Sequence, residues 1–140
     1  MATIASRSVS NERLLHFASW IAQDLLAFFF TVTASLKLVL DPDRLVEIMA
    51  WTGSLPINVV RGFGAIELLG AIAVAAPAVT RAPQRIVGWA ATSFLTLMAC
   101  AMVIHIAREE YRMVVLNLAV GGLAAFVAWG RLMHAPIEQR

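Results

Sequence analysis

The sequence predicts an all-α fold: an integral membrane four-helix bundle with a short interfacial helix between helices one and two. Three observations predict it. Four apolar stretches are each long enough to cross a bilayer, charge is scarce, and most polar residues inside the stretches gather near one end of the bundle. Hydrophobic residues make up 60% of the 140 and charged residues 14%, whereas a soluble domain is about one quarter charged. A water-facing surface of this size needs more charge than the chain has.

A helix needs about 20 apolar residues to span the hydrocarbon core. The stretches at about 14–40, 57–79, 86–106 and 113–131 meet this within the usual range. They are expected to form a single transmembrane domain over 1–140, with a polar, serine-rich N-terminal tail at 1–13. Strands are disfavoured because an open sheet edge leaves backbone groups unsatisfied in lipid. The first stretch is expected to be a span rather than a cleaved leader. It is long, has no small-x-small site, and places Lys37 where cleavage would fall.

Two connections are short: Thr80 to Arg85 carries Pro83, and Arg108 to Arg112 is a polar corner. The connection from Asp41 to Pro56 is longer. Asp41 reads as an N-cap with Pro42 at the first helical position, and Leu45, Ile48 and Met49 share one face. This predicts a helix over Pro42 to Ala50, flat at the membrane surface; a plain interfacial loop is the alternative.

Basic residues suggest the orientation. Arg7, Arg13, Arg81, Arg85, Arg131 and Arg140 fall on one side. Arg44, Arg108 and Arg112 fall on the other, with Lys37 and Arg61 at helix ends. Both termini are therefore expected in the cytoplasm, the protein being multi-pass in a bacterial-type cytoplasmic (inner) membrane. Trp20, Trp51, Trp89 and Trp129 all sit near predicted interfaces.

The net charge of +2, without a basic run, gives no reason to expect a nucleic-acid partner. Cys100 stands alone and has no disulfide or Cys-x-x-Cys partner. His16 and His134 lie at the end opposite His105, so no haem clamp is expected across the bundle. No cluster has the spacing of a metal site.

The buried polar residues carry most of the functional information. A charge at mid-bilayer costs about 2.5–3.5 kcal/mol on insertion scales. Lys37, Arg61, Glu67, His105, Glu109 and Asn117 all fall in the half-bundle opposite the termini, and only Asp24 does not. Glu67 is deepest, roughly 13–15 Å from the start of its helix. It lies in the stripe Gly64, Glu67, Ala71, Ala75 and Ala78, while Asn117 lies in the stripe Asn117, Gly121, Ala124 and Ala128. Small residues at this spacing mark packing faces. Met98, Ala101 and His105 share a side, with Glu109 one turn beyond. Each residue also has a structural role open to it. Lys37 or Arg61 can snorkel or pair with Glu67, His105 can bond Glu109, and Asn117 can join two helices.

The stretches ASLKL at Ala34 to Leu38, RGFGAIELLGAIAVAAP at Arg61 to Pro77, HIAREEYRMVVLNL at His105 to Leu118 and WGR at Trp129 to Arg131 resemble the DoxX-like family. The resemblance covers about Leu26 to Arg131. It implies four helices and a shared pattern of Lys37, Glu67, His105, Glu109 and Asn117. Some relatives are named as subunits of thiosulfate–quinone oxidoreductases or membrane redox complexes, and similar animal proteins look like assembly chaperones. One departure is Ala34–Ser35, where the family often has glycine.

Residues and resemblance together lead to a redox-associated membrane protein binding a small lipophilic molecule, a quinone being the expected ligand, in an extracytoplasmic polar pocket. Glu67, His105 and Glu109 are the expected catalytic, proton-handling groups, with Lys37, Arg61 and Asn117 as ligand-binding residues. Beyond the lipid bilayer, the expected partners are a membrane redox protein, which would supply the electrons, or further copies of the chain. Two other readings stay open: an acid–base enzyme of isomerase or cyclase type, and a non-enzymatic assembly factor or complex subunit.

Overall fold

The computed structural model describes residues 2–80 and 82–134. Arg81, Arg140 and the side chain of Arg7, all used in the charge tally above, lie outside the described residues. Every regular element among them is helical: α1 (Ala2–Val39), α2 (Pro42–Ile48), α3 (Ile57–Val79), α4 (Gln84–Ala107) and α5 (Tyr111–Trp129). A 3₁₀ turn at Ala50–Ser54 follows α2, and a π turn at Gly130–His134 extends α5. Helical backbone continues from the first span back through the polar stretch to Ala2. Among the described residues, four segments are long and apolar enough to cross a membrane: Arg13–Val39, Ile57–Val79, Gln84–Ala107 and Tyr111–Met133.

The spans pack as two close pairs, α1 with α3 and α4 with α5. The pairs meet less closely along α3–α4 and α1–α5, which closes a ring of four. Large apolar side chains such as Phe28, Leu69, Val103 and Val115 point outwards, as a lipid-facing surface requires.

At the centre, Phe30 of α1 and Phe94 of α4 stack with ring centroids 3.6 Å apart and planes 6° from parallel. This contact joins the two pairs. It exists because position 70 of α3 has no side chain: a Cβ there would stand 2.6 Å from Phe94 Cζ. Gly64 does the same for the α1–α3 contact, where a Cβ would meet Lys37 Cβ at 3.0 Å and the Ala34 carbonyl at 3.3 Å.

The end of the bundle away from α2 holds a feature that charge counting misplaces. Arg131 is not an interfacial cation but 1% exposed. Its Nε donates to Gln23 Oε1 at 3.0 Å, Gln23 Nε2 donates to the Val74 carbonyl at 2.7 Å, and the guanidinium lies 4.8 Å from the Trp20 ring centre. Stacking on an indole and one amide bond replace part of its hydration. Its Nη1 and Nη2 have no hydrogen-bond partner among the described residues.

The surface segment differs in detail from the expected continuous helix. Asp41 takes the N-cap position, but its side chain makes no capping bond; its carbonyl accepts from Leu45 N–H at 2.9 Å. The α-helix stops at Ile48, where Met49 turns to φ −130° and ψ 76°. Of the expected apolar face, Leu45 is fully buried while Ile48 is exposed. The break turns the chain so that the Trp51 ring reaches back over the bundle, 5.7 Å from Lys37 Nζ.

Gly70→Ala is expected to destabilise the bundle by about 1–3 kcal/mol, since the added carbon must displace a ring already stacked on Phe30. Gly122→Ala, where a Cβ meets nothing within 4 Å, is expected to leave stability unchanged. Thermal unfolding in detergent or nanodiscs checks the pair.

Candidate functional site in the half-bundle under α2

On α3 the buried stripe is Val60, Gly64, Glu67, Ala71 and Val74. The expected continuation through Ala75 and Ala78 is exposed instead, because a 3.6-residue period drifts round to Val74. The stripe faces α1 and carries Glu67 inward. Lys37, in the last turn of α1, meets it: Nζ donates to Oε2 at 2.8 Å and to Oε1 at 3.0 Å. Thr33 Oγ1, on the same face of α1 one turn earlier, donates to Oε2 at 3.0 Å. Both charged side chains are about 95% buried. Such a pair balances its desolvation only when geometry is good and other hydrogen bonds complete it. Thr33 and the Trp51 ring over Nζ supply that completion.

Arg61 does not join this pair. Its Nη1 donates to the Lys37 carbonyl and its Nη2 to the Leu40 carbonyl, the latter at 2.7 Å. These are orphan acceptors at the C-terminal end of α1. The residue expected to bind ligand is thus a cap that closes the end of the neighbouring helix, and it does not line the cavity described below.

His105 sits in the last turn of α4, 6% exposed. Its partner is Glu110 and not Glu109. Nδ1 lies 2.6 Å from Glu110 Oε2, and an ionised carboxylate only accepts, so Nδ1 carries the proton. The backbone explains the change of partner. α4 ends at Ala107, Glu109 takes φ 58°, and the amides of Glu109 and Glu110 bond the Ile106 and His105 carbonyls at 3.0 and 2.9 Å. This is a Schellman closure with a glutamate where glycine is usual. It leaves Glu109 exposed at the rim of the cavity described below and brings Glu110 to the imidazole. Arg108 Nε donates to Glu110 Oε1 at 2.8 Å, and Arg108 Nη1 to Ser54 Oγ at 2.6 Å. The α4–α5 corner is thereby tied to the 3₁₀ turn. The Arg108 hydrogen bond, followed by that of His105, holds the Glu110 carboxyl below its ordinary range.

These groups surround a cavity of about 740 Å³ between the two helix pairs, under α2 and the 3₁₀ turn. Thr33, Lys37, Glu67, His105, Glu109 and Asn117 line it, with Phe29, Phe30, Trp51 and Met98 supplying apolar wall. Five of the six expected site residues come together here. Phe30, of the central stack, closes it towards the bundle centre. Asn117 is 7% exposed, and its Nδ2 makes no hydrogen bond among the described residues. His105 makes no bond through Nε2 among the described residues, so its second nitrogen is available to a ligand. Asp24 takes no part: it is exposed on α1 towards the Arg131 end. No group of three or more His, Cys, Asp or Glu placed to hold a metal occurs among the described residues.

Sequence reasoning missed Thr33, Trp51 and Glu110. Thr33 had a signal, since it stands four residues before Lys37 on the same helix face. Trp51 and Glu110 had none, because chain reversals place them.

Four apolar spans around a polar cluster define a multi-pass helical membrane protein in contact with the bilayer. The chain belongs to the DoxX-like family, whose family model matches residues 21–127. No curated protein matches it, and no solved structure does.

Glu67→Gln is expected to cost about 3–5 kcal/mol, because it leaves the Lys37 ammonium buried without its counter-charge. The double variant Lys37→Leu/Glu67→Leu is expected to recover most of that loss; a double-mutant cycle by thermal or denaturant unfolding measures it. Because the Glu110 carboxyl is depressed in the folded state, its contribution to stability is present above the ordinary carboxylate value of 4.5 and is lost as pH falls through its lower folded value. Glu110→Gln is expected to flatten this acid limb of the stability–pH profile. Glu109→Gly is expected to keep it and to raise stability by about 1 kcal/mol by relieving the left-handed backbone.

Proposed function

We propose that the protein binds a small lipophilic carbonyl compound of the quinone class in this cavity, as the membrane component of a redox system. The observation that carries the reading is the Asn117 amide: a buried donor without a partner among the described residues, in a cavity that the Lys37–Glu67 pair, Thr33, His105 and Glu109 also line. A buried donor left unpaired costs about 1–3 kcal/mol, and a ligand carbonyl relieves that cost. The aromatic and thioether wall suits a flat ring.

A quinone takes up two electrons and two protons on reduction. In this reading the electrons come from a membrane redox partner, and the chain manages binding and protons. His105, with Nδ1 fixed on Glu110, presents Nε2 to the cavity and exchanges a proton there. Glu67, already accepting from Lys37 and Thr33, is an electrostatic anchor rather than the main proton donor. Asn117 orients the carbonyl. On the basic-residue count, the termini are cytoplasmic and the cavity lies in the extracytoplasmic half of a bacterial-type inner membrane. The 1–140 chain acts as one transmembrane domain.

A second reading has its own support. The Lys37–Glu67–Thr33 cluster is satisfied internally and Arg61 closes α1, as in a bundle whose charges serve only assembly. The protein is then a non-enzymatic subunit or assembly factor.

Asn117→Leu separates the two. A fully substituted benzoquinone with a decyl tail, titrated into the purified protein in nanodiscs, is expected to quench tryptophan fluorescence saturably. Asn117→Leu is expected to bind about 3- to 10-fold more weakly with unchanged or greater thermal stability. Absence of saturable quenching in the native protein overturns the proposal in favour of the second reading.

A further inference from the structure

A second, smaller cavity of about 80 Å³ lies on the other side of the same polar cluster. Trp51, Glu67, Met98, Ala101 and His105 line both cavities. The remaining wall of the smaller one comes only from α3 and α4: Phe63, Leu97, Cys100 and Ile104. Cys100 and Ile104 are exposed on the outer face of α4, where the surface is lipid-facing. The large cavity reaches the outside on the opposite edge of the ring, by way of the exposed Met113 and Leu116 of α5 beside Phe29 of α1. The two openings follow from the packing. α1–α3 and α4–α5 are the close pairs, and the looser seams between pairs are α3–α4 and α1–α5.

We propose that the two cavities are one slot through the bundle, and that the ligand is a long-tailed amphiphile. Its ring lies beside Asn117 and His105, and its hydrocarbon tail leaves between α3 and α4, past Cys100, into the bilayer. This rests on the quinone-class reading and specifies it further. A tail in this seam meets Met98, Ala101, Leu97 and Phe63, and no charged side chain beyond Glu67, whose charge Lys37 already balances. Met98 stands at the partition between the cavities, and an unbranched thioether can change rotamer to let a chain pass. The Phe30–Phe94 stack prevents the tail from running down the bundle axis instead.

Cys100, the chain's single cysteine, lines the exit and is the reporter. Two probes are compared in nanodiscs: a fully substituted benzoquinone with a decyl tail, and tetramethylbenzoquinone, which has none. With the native protein, the decyl compound is expected to slow maleimide labelling of Cys100, and the tail-less ring is not. After labelling with a bulky maleimide, the decyl compound is expected to bind roughly tenfold more weakly, because the adduct obstructs the seam its tail must occupy, while the tail-less ring binds as before. Leu97→Trp, which narrows the seam without touching the cysteine, is expected to reproduce the same split. If labelling and Leu97→Trp leave decyl binding unchanged, or weaken both probes equally, the tail route is wrong while the quinone reading stands. If neither probe binds the unlabelled native protein, the quinone reading fails and the tail route with it.

Discussion

Two opposite charges removed from water within one apolar bundle must find each other, and here they do so across the α1–α3 contact. Lys37 and Glu67 meet at 2.8 Å with about 95% of each side chain buried. In a bilayer neither has water as an alternative partner. The remaining features of this half of the molecule follow from that contact. Gly64 lets α3 approach the backbone of α1 at the level of Lys37. Thr33 supplies the third hydrogen bond to the carboxylate, and the Trp51 ring caps the ammonium. Arg61, which a simple reading makes a competitor of Lys37 for Glu67, is drawn off by the carbonyls at the end of α1.

Periodicity carried most of the fold. Spans are long and their apolar character continuous, so composition alone places them, and buried polar residues on one helix face point inward wherever small residues share that face. Glu67, Asn117 and His105 were legible on these grounds. Roles decided by chain reversal or by competition were not. The exchange of Glu109 for Glu110 depends on one residue with φ 58°, and no pattern marks a glutamate that adopts it. Arg61 became a cap because free carbonyls lay nearer than the carboxylate. Arg131 looked like an interfacial charge because a tally of basic residues has no term for a π turn folding one back against Trp20 and Gln23.

The cavity is a product of unequal packing rather than of a missing side chain. Two pairs of helices pack closely within themselves and less closely with each other. The Phe30–Phe94 stack holds the pairs together at mid-bundle, and the space between them opens on the α2 side of that stack. The segment from Pro42 to Ser54, tied to the α4–α5 corner through Arg108 and Ser54, covers this space. Polar cluster, apolar wall and cover thus draw on all five α-helices and the 3₁₀ turn, although the charges that matter most belong to α1 and α3.

That division has a consequence for biogenesis. Lys37 and Glu67 both lie in spans that are synthesised before α4 and α5. The α1–α3 hairpin can neutralise its own buried charges as soon as both segments are in the bilayer, before α4 and α5 have left the ribosome. The cavity has a later origin, since Met98, His105 and Asn117 make up much of its wall and belong to the second pair. A molecule bound there would add its binding energy to the closing of one hairpin on the other, so any ligand of this cavity would favour the step that joins the two hairpins.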